Sequence, residues 1–558
     1  LTGDIADSVR TGFLQSGQQR EEWQTYWRTI YETGVTRQLA WLDIRGNHDN
    51  LNLASVDSDH NFYRVYSVQG RSHPHSYSYV HRDGSDSYSF IAIDTCTDPG
   101  IRRPFNFVGS LPEKQLSALV EMKEESRRSN FTVWFGHHPT SSVASLEIRE
   151  LMRQSGPYLC GHFHTVGGLF RELYLLQPTG ALELELADWK HGRSFRVAAV
   201  DHGLFSFVDV HHRQWPIILV TNPKSALLSM PSVEPLGRTA RSTHVRVLVF
   251  SREPVAQVRM SLASGEWAPL RRVDGTALWV APWSPQQFGG GLHALHVQVM
   301  DANGTLLAEH RTQFSLDGTR PAFGLTTRLV LQGGISALQA LFGMLVCGCL
   351  LLLCWFKLVQ ASCKGAGRLT GGSAGCWRGC CSGLALRMHL LVSVDALFWP
   401  LVFLPIYLTV GPWFVGELVD GHYGVCFLWG TYIRGRLLPA GFSFLFASAF
   451  LVLCYVPLVA CLCHVLWRRR LSLLTGAPPA SGLWLAPVLA LEWLWSTPYI
   501  LAYGYLALLL GFLCTGMPLA SVAAWHVART LPHHRMETFE RLSSVPCSDV
   551  ALAKAGAS

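Results

Sequence analysis

Four short clusters hold residue types able to do metal-assisted chemistry: Gly3-Asp4-Ile5-Ala6-Asp7, Gly46-Asn47-His48-Asp49, Gly136-His137-His138-Pro139 and Gly161-His162-Phe163-His164. Any one alone reads as a polar loop. Together, in this order and each at the end of a predicted strand, they supply the carboxylate, amide and imidazole donors that Mn, Fe or Zn accept. Two such ions about 3.5 to 4 Å apart can clamp phosphoryl oxygens and acidify a water for in-line attack on phosphorus. Asp4 can bridge both ions, Asn47 offers a neutral oxygen, and His137, His162 and His164 offer ring nitrogens. His48 is then free to face a substrate, with Asp49 holding its tautomer.

The elements that must position these clusters alternate in type. Trp41-Leu42-Asp43-Ile44-Arg45, Tyr88 to Asp94, Phe131 to Phe135 and Tyr158-Leu159-Cys160 read as strands, while Glu21 to Tyr31 and Pro112 to Arg127 read as helices. Pro112 suits a first turn, and Leu116, Leu119, Val120 and Met122 give the second helix an apolar side. This is a mixed α/β pattern whose loops follow the carboxyl ends of strands, where open α/β sheets bind ligands.

The Gly-Asp-x-x-Asp, Gly-Asn-His-Asp, His-x-Pro and Gly-His-x-His series resembles the calcineurin-like metallophosphoesterase family over residues 1–210. The resemblance implies an α/β metallophosphoesterase sandwich of two sheets flanked by helices. It also implies Asp4 as the bridging ligand, Asn47, His137 and His162 on the second metal, and His164 on the first. His48 becomes the phosphate-contacting acid or transition-state stabiliser, and Asp7 is as much a supporting residue as a ligand. The family's Asp-x-His motif, which supplies two ligands to the first metal from the first strand, does not stand before Leu1. The expectation is therefore an N-terminally truncated domain whose first metal keeps Asp4 and His164, with weak occupancy and little hydrolysis.

From Thr239 to Leu316 no helical period survives. Val245 to Val249, Ala277 to Val280 and Leu295 to Val299 alternate between Gly-, Pro- and Asp-bearing turns, the signature of an immunoglobulin-like β-sandwich without an internal disulfide. The expected boundaries are 211–238 for a linker, 239–328 for the sandwich, 329–530 for a multi-pass transmembrane α-helical domain and 531–558 for a tail.

Charge marks the last transition. Residues 1–328 hold 32 Lys+Arg and 32 Asp+Glu, while 329–558 hold 14 and 7, so the net charge of +7 lies in the apolar part. That placement suits a lipid bilayer as partner and disfavours nucleic acid. Gly334 to Phe356, Leu390 to Val410, Leu437 to Trp467, and Leu483 to Trp525 divided near Tyr503-Gly504-Tyr505, give about five spans of the roughly 20 residues a bilayer needs. Lys357, Lys364, Arg368, Arg378 and Arg387 in one loop, and Arg468-Arg469-Arg470 in another, read as cytoplasmic. Residues 1–330 are then lumenal or extracellular, with which the sequons at Asn130 and Asn303 agree.

Asp395 and Glu492 interrupt apolar runs, where an ionisable group is either functional or paired with a neighbour. Cys363, Cys376, Cys380 and Cys381 sit in the basic loop as reduced thiols or acylation sites. Two functions fit the whole. One is a membrane-tethered phosphoesterase acting on a phosphorylated substrate. The other is a non-catalytic scaffold that keeps the fold and contacts a protein partner through its β-sandwich.

Overall fold

A computed structural model describes residues 1–9, 16–145, 147–170, 172–263, 265–365 and 382–535 of the chain. They divide into two units, the first Leu1–Ser8, Gln18–Gly100 and Val108–Gly334, the second Val9–Gly17, Ile101–Phe107 and Ile335–Ser558.

The first unit opens with helix α1 (Arg20–Thr33). Strands β1 (Tyr77–Asp83) and β2 (Asp86–Ile93), helix α2 (Glu113–Ser126), and strands β3 (Phe131–Gly136), β4 (Tyr158–Cys160), β5 (Leu173–Leu176) and β6 (Leu182–Glu185) follow. The sheet order is β1-β2-β3-β4-β6-β5, with parallel pairing from β2 through β6 and antiparallel strands at both edges. Strand β3 shows why the sheet is covered on both sides. Trp134 joins Leu119 of α2 and Ile148 on one face, while Phe131 and Val133 join Phe205 and Phe207 on the other. The latter pair belongs to a two-stranded hairpin of β7 (Ser194–Asp201) and β8 (Leu204–His211). The fold here is mixed α/β, as the alternation of elements predicts.

Two expectations need correction. Trp41 to Arg45 is no ladder strand: among the described residues its one bridge joins Ile44 to Thr2. Its carbonyls are taken by side chains instead, Trp41 by Gln69 Nε2 at 2.9 Å and Asp43 by the Tyr77 hydroxyl at 2.8 Å, while the Asp43 carboxylate accepts the Val68 and Gln69 amides at 2.9 Å. The segment expected as a linker contributes β9 (Ile217–Asn222), which pairs antiparallel with β10 (His244–Phe250). With β11 (Gln257–Leu262), β12 (Ala268–Arg272), β13 (Leu278–Pro282), β14 (His293–Met300) and β15 (Leu306–Phe314) it completes a seven-stranded arrangement, β15-β14-β11-β12-β13-β10-β9. Inward residues of alternating strands, among them Val247, Val258, Trp279, Val297 and Phe314, form its core.

The second unit is helical. Leu325–Ser362, Phe442–Thr475 and Gly482–Tyr503 are long and apolar enough to cross a membrane. A fourth span follows only if Gly383–Ser393 and Asp395–Val410 count as one, and these are bent by 95°. The bend stands where Val394 leaves helical geometry and Asp395 opens a new helix, the end at which an acid is favoured. The fifth expected span falls short: after Gly504 breaks the helix, the chain forms Tyr505–Leu509 and then Phe512–Gly516 running into Met517–Arg529, which together are not long and apolar enough to count as a span. The loop expected between the second and third spans is instead a meander of four strands, Phe414–Val419, His422–Cys426, Gly430–Ile433 and Arg436–Pro439. Within this unit Phe105 stacks on Phe414, Tyr499 and Tyr503. Arg387 and Arg470 lie over Trp467, and Arg529 over Trp525, the aromatic-basic pairing found at membrane interfaces. Arg368, Arg378, Cys376, Cys380, Cys381, the Cys363 side chain and residues 536–558 of the expected tail lie outside the described residues.

Candidate metal centre

The first unit brings the four clusters together. Asp4 follows the Thr2 bridge to Ile44, and its neighbour in space is Gly46, where any Cβ would collide with the Asp4 carboxylate and amide. Asp4 Oδ1 accepts the His48 amide at 2.9 Å. Asp49 accepts the amides of Ile5, Ala6 and Gly46 at 2.8–3.1 Å, tying the two acid-bearing loops to each other. His137 leaves the end of β3 and His162 follows β4, so adjacent parallel strands deliver both imidazoles to one place.

Four donor atoms converge there. His137 Nε2 lies 2.8 Å from Asn47 Oδ1, 3.0 Å from His162 Nδ1 and 3.3 Å from Asp4 Oδ2, and Asn47 Oδ1 lies 3.1 Å from His162 Nδ1. Ligands held about 2.0–2.2 Å from a single ion stand about 3.0–3.4 Å from each other, so these spacings match the edges of a coordination shell. The donor types fit as well: one carboxylate, one amide oxygen and two imidazoles suit Mn, Fe or Zn.

Electrostatics favour the ligating forms. Burial holds His137 and His162 below the usual histidine range, with neighbouring imidazoles adding to the effect at His162, so both rings are neutral and present lone pairs. Burial would raise Asp4, but His137 and His48 beside it carry the carboxyl below its ordinary value. Asp49, desolvated and next to Asp4, is pushed up to about 7 despite its amide donors. Asp4 at φ 51° and His164, Thr165 and Val166 at φ 50–55° adopt left-handed backbone, a strain that collects at functional sites.

Other expected residues take different places. His48 Nδ1 meets the Asp7 carbonyl at 2.7 Å, so its tautomer is set from Asp7 rather than by Asp49, whose oxygens serve backbone amides. Asp7 itself pairs with Lys190 at 2.7 Å, a supporting position. His164 is close enough for its charge to depress Asp4, but its ring is not in the tightest cluster, whose third imidazole is His138. His138 Nδ1 bonds Thr95 Oγ1 at 2.8 Å, and its Nε2 is buried without a hydrogen-bond partner.

Two supports escaped the motif reading. Arg45, buried, gives Nε and a terminal nitrogen to Asp94 at 3.0 and 2.8 Å and another to Asn50 Oδ1 at 3.1 Å, clamping the loop that carries Asn47. Glu185, at the end of β6, accepts the Phe163 and His164 amides at 2.6 and 3.1 Å and holds the Gly-His-x-His loop. Their signal was a charged residue closing a strand-like run, which demands a buried partner.

These features define a membrane protein in which a mixed α/β region with a candidate metal centre precedes a β-sandwich and a helical region. Comparison with known proteins agrees. The family model of the TMEM62 Ig-like domain matches residues 212–320, and that of the TMEM62 C-terminal domain matches residues 339–474. Transmembrane protein 62 of Mus musculus is 36% identical over 475 residues, 84% of this chain and 71% of that protein. The chain therefore belongs to the transmembrane protein 62 family. A protein of Arabidopsis thaliana named, provisionally, as a metallophosphoesterase is 26% identical over 392 residues, 57% of this chain. The chain spans about half of that relative, 53% of its length.

Proposed function

We propose that this protein is a membrane-tethered, metal-dependent phosphoesterase that cleaves a phosphate ester or pyrophosphate bond. The observation that carries the reading is the convergence of Asp4, Asn47, His137 and His162 at 2.8–3.3 Å. The name of the plant relative supports it. In this reading Asn47, His137 and His162 would hold one ion and His164 a second, with Asp4 available to both. Bound there, such ions supply Lewis-acid stabilisation of phosphoryl charge and acidify water at neutral pH.

The chain's own residues do the rest. Asp49, through three backbone amides, keeps the Asp4 and Asn47 loops in register. His48 donates its Nδ1–H to the Asp7 carbonyl at 2.7 Å, which leaves Nε2 on the Asp4 side, 3.8 Å from its carboxylate. From there the protonated ring donates to the leaving-group oxygen. The basic loop residues Lys357 and Arg387, and Arg468 to Arg470, support a cytoplasmic position for those segments and a lumenal or extracellular one for the α/β region.

The test is turnover by the purified full chain, supplied with Mn, Fe or Zn, against a phosphomonoester, a phosphodiester and a pyrophosphate. Metal-dependent hydrolysis that His162→Ala abolishes is expected. A folded chain that binds no ion and turns over none of them would leave the scaffold reading.

A further inference from the structure

Two acids interrupt the apolar runs of the helical unit, and the structure treats them oppositely. Asp395 is 64% exposed and pairs with Lys357. Glu492 is 0% exposed, on the helix Ala486–Tyr503. Its Oε1 accepts the Ser521 hydroxyl at 2.7 Å, and its Oε2 is buried with no hydrogen-bond partner. The titratable groups around it are the thiol of Cys454, from Leu451–Tyr455, the thiol of Cys514, which neighbours Ser496, and the Tyr499 phenol of its own helix. No cation faces it among the described residues. A charged carboxylate in that setting would have a single hydroxyl donor against full desolvation, which one hydrogen bond does not offset.

A polar face runs from this point. Glu492, Ser496, Tyr499 and Tyr503 recur at helical spacing and are all buried. The Tyr499 hydroxyl also has no hydrogen-bond partner, and the Tyr503 hydroxyl donates to the Arg102 carbonyl at 3.1 Å. Arg102 in turn pairs with Asp420, which is 73% exposed. Among the described residues, two buried polar atoms on this face are left open, Glu492 Oε2 and the Tyr499 hydroxyl, while Ser496 Oγ donates to the Glu492 and Leu513 carbonyls at 2.8 and 3.0 Å.

We propose that Glu492 is a proton-binding site within the helical unit, holding its proton on Oε2 while Oε1 accepts from Ser521, and exchanging it with solvent on the face that also carries the open Tyr499 hydroxyl. Only a proton moves, and none of the metal-centre residues takes part.

Infrared difference spectroscopy of the full chain in lipid nanodiscs reads this directly. Subtracting Glu492→Gln from the parent should show loss of a protonated-carboxyl C=O band, and that band should shift down in D2O. Loss of carboxylate bands instead would overturn the protonation, and an acid band unmoved in D2O would overturn the exchange. Should Glu492→Gln fail to fold, Ser521→Ala gives a second reading. It keeps the acid, so the C=O band should rise in frequency as its donor is lost, and an unchanged acid region would contradict the assignment.

Discussion

The α/β region and the helical region both bury acids, and they resolve the cost in different ways. Around Asp4, two loops and two strand ends deliver Asn47, His137 and His162, with His137 Nε2 3.3 Å from the Asp4 carboxylate and the other two within 3.0 Å of that nitrogen, and Asp49 supplies a second carboxyl fixed by three amides. Around Glu492 there is one hydroxyl. A cluster rich in neutral imidazoles and poor in protons is arranged for a multivalent cation, whereas a lone acid in an apolar bundle is arranged for the smallest one. The difference teaches that burial alone does not define a site; the number and type of donors facing the acid decide what it can hold.

Removing a donor from the crowded centre should break the contrast most sharply. His137→Ala takes away the nitrogen nearest to three other donors, so loss of the bound ion and of any hydrolysis is expected, by more than the about 10- to 100-fold typical of a supporting partner. Metal content after exhaustive dialysis checks it. Next comes Arg45→Ala, which strands Asp94 as a buried charge and should cost about 3–5 kcal/mol in denaturant unfolding.

That pair also has a pH signature. Asp94 is fully buried, yet Arg45 and His75 hold its carboxyl below the ordinary value, near 3.9 in an unfolded chain. A depressed folded value means its contribution is present above about pH 4 and is lost as pH falls through the folded value. Stability of the α/β region should drop on that acid limb, and Asp94→Asn, weaker throughout, should flatten it.

Asp49→Asn sharpens the comparison more gently. It keeps the shape but weakens the acceptor of three amides, and metal affinity should fall about 10- to 100-fold, as measured by calorimetric titration. The smallest effect belongs to the helical unit's other acid. Lys357→Ala removes the partner of an exposed Asp395, worth about 0–1 kcal/mol, and the melting temperature should barely move.

Much of the α/β region was legible in the sequence. Tyr158–Cys160 is a strand where the aromatic-apolar run predicts one, and β2, β3, α1 and α2 lie where alternation and period put them. What failed had physical causes that periodicity cannot see. Trp41 to Arg45 alternates like a strand, but the Trp41 and Asp43 carbonyls are taken by the Gln69 amide and the Tyr77 hydroxyl, and among the described residues the segment keeps one bridge. The meander from Phe414 to Pro439 hides in short strands of mixed polarity, and the 95° bend lies inside the apolar run that Asp395 interrupts. In the candidate site, His137 and His162 were readable because their motif loops end strands, and Asn47 because it stands in the Gly-Asn-His-Asp motif. His138 was not, because adjacent residues of a strand point to opposite faces; it joins the cluster only because β3 ends at Gly136 and the chain turns into Pro139.

The central claim is that four converging donors hold a metal ion. Elemental analysis of the purified full chain beside Asn47→Ala, both shown to be folded by their unfolding transitions, tests it most directly. The account predicts stoichiometric Mn, Fe or Zn in the parent and a marked loss in the variant. A folded parent that retains no transition metal after loading with each of the three would contradict it.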